Sequence, residues 1–332
     1  MRARRPGQLD ELALAHASTA GADGRRTVSA SASEACRLPD FIIIGAMKSA
    51  TSTLHEQLAR QPGIVMSDPK EPNFFSDDEQ WARGMLWYRG LFAGAKPGDL
   101  RGESSTHYTK LPTYPLTIDR MRRHLTHGAK LVYIMRHPID RLISQYIHKW
   151  TQGVVSGTID EALDSHPEMI EYSRYAMQLK PFIDAWGEAS ILPLFFERFT
   201  AHEQESLERV CRFIGYARQP KWSESLGEQN VSSERMRRSA WRDAIAKFPG
   251  MTALRRAFVP QSVRDRIKGA WMIKERPALS NASMARLKSL FDEDLATLGA
   301  WLGLDGLCCD NFKSMAANGH PTWRAQAKVT AA

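Results

Sequence analysis

Two groups of polar and charged side chains follow apolar stretches of the chain at spacings that could bind anions. The first is the segment IIIGAMKSATST, residues 42–53, in which three isoleucines run into a glycine, a lysine and several hydroxyl residues. A glycine after a buried strand permits a tight turn, and the helix that follows directs free N–H groups back at that turn. The segment therefore predicts a phosphate-binding turn. The side chains that would add to its backbone donors are Lys48, Ser49, Thr51, Ser52 and Thr53.

The turn lacks the parts that hold a magnesium nucleotide. A nucleotide-triphosphatase loop reads GxxxxGK[ST], and the hydroxyl after its lysine binds Mg²⁺. Here no glycine stands immediately before Lys48. The apolar segment KLVYIM is followed by Arg136 instead of a metal-binding aspartate. We therefore expect a site for phosphate oxygens and no metal site.

The second group is RHPIDRLISQY, which places Arg136 at the end of an apolar strand and Ser144 eight residues later. A guanidinium fork with a nearby hydroxyl suits a second phosphate. Ligands bind at the carboxyl ends of the strands in open α/β sheets, so both groups would lie at one edge. A salt bridge at the helix start is the alternative for Arg136.

The elements that must position these groups alternate between strands and helices. Segments typical of strands are DFIIIGA, GIVMS, DLRGESS, AKLVYIM and ILPLFFE. Segments with helical periodicity are TSTLHEQLARQPG, EQWARGMLWYRGLF, LTIDRMRRHL, IDRLISQYIHKW, ESLERVCRFIG and SMARLKSLFDEDLATLGAWLG. This alternation predicts an α/β fold with a central parallel sheet flanked by helices.

Length and composition fit a single globular domain with flanking tails. The chain has 332 residues, of which 43% are hydrophobic and 25% charged. We predict a flexible N-terminal tail over 1–38, one domain over 39–310 and a C-terminal tail over 311–332. Within the domain, 219–280 is interpreted as a lid or a substrate-side insert.

Positive charge is concentrated in one segment. Residues 235–276 contain twelve Lys or Arg and three Asp or Glu, whereas the net charge of the whole chain is +8. Such a segment favours an anionic partner, although a solvated helical face explains it equally well. A non-enzymatic nucleic-acid binder is a further alternative, but no recognition motif accompanies the charge, so we expect no nucleic-acid partner.

The sequence also bears on location. No apolar run approaches the roughly 20 residues that span a bilayer, and the N-terminus lacks the apolar core of a secretory signal. The four cysteines form no CxxC pair, which favours a reducing compartment. We therefore expect a cytoplasmic protein without a membrane span, and leave a homodimer open.

Three motifs together resemble a known family. The segments IIIGAMKSATSTL, KEPNFF and RHPIDRLISQY look like those of sulfotransferases that use 3′-phosphoadenosine 5′-phosphosulfate (PAPS). The resemblance spans residues 40–215 and is closest to the carbohydrate, heparan-sulfate-type branch, with this chain as a bacterial-looking member. It implies a P-loop-like fold and sulfuryl transfer to a hydroxyl of a glycan, a glycosylated compound or a phenolic small molecule. A nucleotide-dependent kinase on a similar fold is the alternative.

The resemblance also implies roles for individual residues. The 5′-phosphosulfate would be held by Lys48, Ser49, Ala50, Thr51, Ser52 and Thr53, and the 3′-phosphate of the product PAP by Arg136 and Ser144. Lys48 would also neutralise charge on the leaving phosphate oxygen. Ala50 is a departure, because many members of the family have glycine there.

Two residues are candidates for the catalytic base. Glu71 matches the family's catalytic glutamate, and burial beside Phe74 and Phe75 would have to raise its pKa from about 4.3. Lys70 would oppose that increase if it pointed the same way. His107 is the alternative base, because an unperturbed histidine already titrates near pH 6.5. Judged without the motif, Glu71 would be a surface acid and His107 a polar loop residue.

Overall fold

One parallel β-sheet forms the centre of the computed structural model, which describes residues 38–125, 128–224 and 276–324. Within these ranges the sheet has five strands in the order β2-β3-β1-β4-β5, and every neighbouring pair is parallel. The strands are β1 Phe41–Gly45, β2 Ile64–Met66, β3 Leu100–Ser104, β4 Lys130–Met135 and β5 Ile191–Phe195. The predicted α/β fold is confirmed.

Helices connect the strands and cover both faces of the sheet. Before β4 lie α1 Thr51–Ala59, α2 Asp78–Ala82, α3 Gly84–Gly90 and α4 Thr117–His124, and a 3₁₀ turn Thr106–Thr109 follows β3. Between β4 and β5 lie α5 Pro138–Thr151, α6 Ile159–Ser165, α7 Glu168–Glu171 and α8 Tyr175–Trp186. After β5 come α9 Phe196–Ala201, α10 Glu203–Ile214, α11 Asn281–Leu302 and α12 Phe312–Asn318. None of these described helices is long and apolar enough to cross a membrane.

The central strands are buried on both faces, as a parallel sheet between two helical layers requires. Successive side chains of a strand point to opposite faces, so Ile42 and Ile44 enter one core while Ile43 enters the other. The first core is closed by α5, α8 and α11, and the second by α1 and α10. The run of isoleucines in β1 therefore serves two cores at once.

The carboxyl ends of β1, β3 and β4 meet at one edge of the sheet. The segment after β3 is fixed to β1 by two hydrogen bonds, from Ser105 N to Ile43 O at 3.1 Å and from Thr109 Oγ1 to Ile44 O at 2.7 Å. The segment after β1 is fixed to β4 by Ala46 N, which donates to Ile134 O at 2.9 Å. The loops that carry the candidate site residues are thus anchored to one another through the sheet.

Several features differ from the expectations. The segment EQWARGMLWYRGLF forms two short helices because Gly84, at φ 81°, interrupts it. Helices α6, α7 and α8 were not predicted. Residues 312–318, which we assigned to a C-terminal tail, form α12, and Phe312 and Ala316 are fully buried. Packed structure therefore continues past residue 310.

Two predicted segments fall largely outside the described residues. They are the N-terminal tail, 1–38, and the basic segment, 235–276. Of the basic segment only Arg276 is described, and it pairs with Asp140 near the start of α5. Asp140 also pairs with Lys313 of α12 at 2.6 Å. The two cations thus bring the chain before α11 and the C-terminal helix to the same side of α5.

Candidate active site

The turn between β1 and α1 passes very close to its neighbours. A Cβ atom on Gly45 would lie 2.1 Å from Thr109 Oγ1 and 2.8 Å from the ring of Tyr133, so a larger residue cannot occupy this position unchanged. Lys48 and Ala50 adopt left-handed backbone conformations, with φ of 70° and 61°. Glycine adopts that conformation without steric cost, whereas the side chains of Lys48 and Ala50 make it less favourable.

The N-terminus of α1 presents backbone donors to this turn. The first bond of helical pattern runs from Leu54 N to Ala50 O at 3.1 Å, so the N–H groups of residues 51–53 precede the helical hydrogen-bond ladder. Ala50 supplies no side-chain cap. Ser49 Oγ is fully buried and has no hydrogen-bond partner within the described part of the chain. Such a set of donors fits an oxyanion such as phosphate.

Arg136 lies against the same turn. Its Nη1 donates to Lys48 O at 3.2 Å, and its guanidinium carbon is 4.5 Å from the ring centre of Phe196. The Tyr175 hydroxyl accepts from Arg136 N at 3.2 Å and donates to Arg136 O. The guanidinium of Arg136, from the second predicted phosphate site, therefore contacts the backbone of the first.

Ser144 belongs to the helix that leaves this edge. It is half-buried in α5, six residues beyond Pro138, which places it about 9 Å along the helix axis. Pro138 is in the first turn of α5, and His137 caps the helix by accepting from Asp140 N at 3.4 Å. His137 thus has a structural role, and the proposed contact of Ser144 with phosphate stays a prediction.

Glu71 is held firmly in the loop after β2. Its N–H donates to Ser104 O at 2.9 Å, and its own backbone is left-handed at φ 58°. Lys70 Nζ donates to Glu71 Oε1 at 2.8 Å, and Thr106 N donates to Oε2 at 3.0 Å. The Thr106 hydroxyl also donates to the carboxylate, at 3.1 Å from Oε2. The carboxylate is therefore oriented by the end of β3 and by its own neighbour.

The expectation that the pKa of Glu71 is raised overall is wrong. Burial alone would raise it, but the Lys70 ammonium and its hydrogen bond, the Thr106 N–H and the Lys110 charge act against burial. Together they hold the pKa of Glu71 below its ordinary value. Lys70 does point the same way as Glu71, so the residue is an ionised carboxylate at neutral pH.

His107 lies in the 3₁₀ turn beyond β3, within the electrostatic influence of Glu71. Its ring stacks on Tyr114 with 4.6 Å between ring centres, and its Nδ1 is buried without a partner among the described residues. Burial, followed by the charge of Lys110, lowers the pKa of His107 to about 4. Both candidate bases are thus at this edge, and His107 is neutral at pH 7.

Glu103, at the end of β3, does not reach the surface. Its carboxylate is fully buried and accepts from Ser105 Oγ and Tyr108 Oη, each at 2.6 Å, and from the Tyr88 hydroxyl. Burial raises the pKa of Glu103, while the hydroxyl donors oppose the shift. The network fixes the turn that carries His107. Tyr88 is a core residue, whereas Trp81 and Trp87 are half-buried.

Three residues at the site were missed by the sequence analysis. Thr106 and Lys110 follow β3 in the same loop as His107, so their position at a strand end was the available signal. Tyr175 is 39 residues from Arg136, and no local pattern connects the two. Among the described residues, no group of three or more His, Cys, Asp or Glu side chains could hold a metal ion.

Comparison with known proteins identifies relatives. The family model for the sulfotransferase domain matches residues 38–299. Mouse heparan sulfate glucosamine 3-O-sulfotransferase 3B1 is 27% identical over 191 residues, covering 55% of this chain and 47% of the relative. Mouse heparan sulfate glucosamine 3-O-sulfotransferase 5 is 36% identical over 110 residues, covering 33% and 30%. The chain thus spans about half or less of the length of these curated relatives.

A solved structure shares the fold. The crystal structure of a sulfotransferase from Alicyclobacillus acidocaldarius aligns with a TM-score of 0.52 at 21% identity, covering 81% of this chain and 97% of that one. The region matched by the family model contains the turn after β1, Arg136 and both candidate bases. Since that model covers well over half of the sequence, the chain belongs to the sulfotransferase-domain family.

Proposed function

We propose that this protein transfers the sulfuryl group of PAPS to a hydroxyl group of an acceptor. One observation carries the proposal: Arg136 Nη1 contacts the carbonyl of Lys48, so the guanidinium that follows β4 lies next to the turn before α1, which we propose binds an anion. PAPS has phosphate groups on both its 5′ and 3′ positions, so it needs two such anion sites side by side. Membership of the sulfotransferase-domain family supports the same conclusion.

The residues present fit this donor. The orphaned hydroxyl of Ser49 and the N–H groups of residues 51–53 are donors that a 5′-phosphosulfate would satisfy. The side chains proposed for that end are Lys48, Ser49, Thr51, Ser52 and Thr53, with Ala50 contributing backbone only. Arg136 and Ser144 would bind the 3′-phosphate.

Glu71 is the proposed base. When bound, PAPS supplies a sulfuryl group attached to a phosphate leaving group. Glu71 takes the proton of the acceptor hydroxyl while the new oxygen–sulfur bond forms and the old one to the 5′-phosphate breaks. Lys48 neutralises the charge left on the phosphate oxygen, and Thr106 keeps the carboxylate of Glu71 in place.

A carbohydrate hydroxyl is the acceptor class that the relatives support, since their names specify heparan sulfate glucosamine. A phenolic or glycosylated small molecule is a second class with the same reacting group. A screen with sulfur-labelled PAPS against polysaccharides and hydroxylated compounds tests this. Label in a carbohydrate product is expected, and label only in phenols would overturn the carbohydrate assignment.

The kinase alternative makes an opposite prediction about ligands. We expect PAP to raise the melting temperature of the protein, because it fills both anion sites, and Mg-ATP to have little effect. Transfer should also proceed without a divalent ion, since no hydroxyl follows a Gly-Lys pair at this turn. Stabilisation by Mg-ATP and not by PAP would contradict the sulfotransferase assignment.

A further inference from the structure

Glu103 is a buried carboxylate that has no part in the proposed mechanism. It belongs to β3 and is fully buried. Ser105 Oγ and Tyr108 Oη each donate to its Oε1 at 2.6 Å, and the Tyr88 hydroxyl donates to its Oε2. A buried carboxylate is costly unless hydrogen bonds satisfy it, and these three hydroxyls meet that need. The acid therefore fixes the positions of three hydroxyl groups near the edge of the sheet.

Two of these hydroxyls also bind the loop after β2, which carries the proposed base. Ser105 Oγ accepts from Asn73 N at 3.0 Å, and Tyr108 Oη accepts from Phe75 N at 3.4 Å. A hydroxyl can donate its proton while its oxygen accepts a second hydrogen bond. Each of the two therefore connects Glu103 to a backbone N–H of that loop.

The loop depends on outside contacts for its conformation. Glu71 and Asn73 have left-handed backbones, with φ of 58° and 51°, and this conformation costs free energy for residues other than glycine. Such residues persist where neighbouring groups hold the backbone in place. Two hydrogen bonds do so here, from Glu71 N to Ser104 O at 2.9 Å and from Asn73 N to Ser105 Oγ. Without the second bond, the backbone beyond Glu71 would be held less tightly.

The segment after β3 holds the carboxylate of the base as well. Thr106 donates to Glu71 Oε2 from its N–H at 3.0 Å and from its hydroxyl at 3.1 Å. Thr106 lies between Ser105 and Tyr108 in the chain, and both of these residues donate to Glu103. Loss of either hydroxyl would therefore disturb both the backbone of the loop and the group that orients the carboxylate.

Aromatic packing joins the same elements without using the hydroxyls. Phe74 stacks on Tyr88 with 4.5 Å between ring centres, and the ring centre of Phe75 lies 5.8 Å from that of Tyr108. Replacing either tyrosine by phenylalanine would keep its ring and remove only its hydroxyl. In the part of the chain that the structure describes, the Tyr88 hydroxyl bonds to Glu103 and to no other group. Tyr88→Phe is therefore a matched control for Tyr108→Phe.

We propose that Glu103, through the hydroxyls of Ser105 and Tyr108, positions Glu71 to take the proton of the acceptor. Glu103 is buried, so it acts through the loop and not by contact with the acceptor. Ser105 and Tyr108 are then positioning residues as well. This inference rests on the proposed function, because it takes Glu71 as the base of that reaction.

The test compares three full-chain variants that each remove one hydroxyl from Glu103, namely Ser105→Ala, Tyr108→Phe and the control Tyr88→Phe. Steady-state transfer from sulfur-labelled PAPS to heparan sulfate gives kcat, and calorimetry gives PAP affinity. We expect kcat to fall about three- to tenfold in Ser105→Ala and Tyr108→Phe, because each loses one hydrogen bond to the loop. Tyr88→Phe should keep a kcat close to that of wild type, and PAP affinity should be unchanged in all three variants.

Hydrogen exchange of the loop amides is a second measurement, and it needs no acceptor. The Asn73 amide should exchange faster in Ser105→Ala than in wild type, and the Phe75 amide faster in Tyr108→Phe, because each amide loses its acceptor. In Tyr88→Phe both amides should exchange as they do in wild type. A loss of stability without a positioning role would instead affect the three variants alike.

Two results would overturn the inference. They are a kcat that is the same in all three variants, and exchange at Asn73 and Phe75 that matches wild type in Ser105→Ala and Tyr108→Phe. Should Ser105→Ala not fold, the comparison of Tyr108→Phe with Tyr88→Phe decides. If wild type binds PAP but does not sulfate heparan sulfate, the exchange rates decide. Failure of the proposed function looks different, because wild-type protein would then not bind PAP at all.

Discussion

Replacing Glu71 by glutamine separates its proposed chemical role from its structural one. Glutamine has nearly the same shape, and its carbonyl oxygen can still accept from Thr106 N, which now lies 3.0 Å from Glu71 Oε2. The amide nitrogen would face Lys70, which can turn away because its side chain is 25% exposed. The variant should therefore keep the loop conformation while losing the ability to take a proton.

The expected changes in Glu71→Gln are a small loss of folding stability and a large loss of turnover. The Lys70–Glu71 pair is more than a quarter exposed on the Glu71 side, so its loss should cost about 0–1 kcal/mol of folding free energy. Loss of a general base typically reduces turnover by about 10²–10⁴-fold. Because glutamine still accepts a hydrogen bond, the reduction should fall on kcat and leave KM and PAP affinity nearly unchanged.

A pH profile alone cannot identify the base, because both candidates titrate at low pH. The pKa of His107 is about 4, and that of Glu71 lies below its ordinary value. The stability contributed by Glu71 is present above its unfolded-state pKa of about 4.3 and is lost as the pH falls through its lower folded-state value. Because either base is deprotonated above these pKa values, activity should persist to below about pH 5 whichever residue takes the proton.

The matched control is His107→Asn, assayed by steady-state sulfuryl transfer together with PAP calorimetry. We expect His107→Asn to retain most of its turnover while Glu71→Gln loses it. Near wild-type kcat in Glu71→Gln with a collapse in His107→Asn would reverse the two roles. Loss of PAP binding in Glu71→Gln would show that the residue is structural.

Three further predictions concern the donor site. Tyr175→Phe removes the hydroxyl that holds both backbone groups of Arg136, so PAP affinity should fall about two- to tenfold by calorimetry, and no change would contradict this role. Ala50→Gly relieves a left-handed alanine at φ 61° and should stabilise the fold by up to about 1 kcal/mol in urea unfolding, whereas destabilisation would show that the methyl group packs favourably. Activity should survive EDTA, and loss that Mg²⁺ restores would favour a kinase.

The main sheet and the donor turn were predictable because their signals are local. Strands β1 and β4 are continuous apolar runs, and the residues after them carry the charge and the glycine of the turn. The edge at which Glu71, His107 and Arg136 gather follows from parallel topology alone. These features need only the order of the elements along the chain.

What escaped prediction depends on contacts between distant segments. Asp294 of α11 accepts from Ala176 N at 2.9 Å and Met177 N at 3.0 Å, so it caps α8 from 118 residues away. The direction in which the Lys70 side chain points, which lowers the pKa of Glu71, likewise could not be predicted from the sequence. Helix α6 is different, because its capping box of Thr158 and Glu161 is a readable sequence signal that we did not use.

The most direct test of the account compares the affinities of PAP and adenosine 5′-phosphate, which lacks the 3′-phosphate, in wild type and Arg136→Ala. Charge-assisted hydrogen bonds from Arg136 should make wild type prefer PAP by about ten- to 150-fold. Arg136→Ala should lose most of that preference while binding adenosine 5′-phosphate as before. Equal affinity of wild type for the two nucleotides would contradict the proposed donor site.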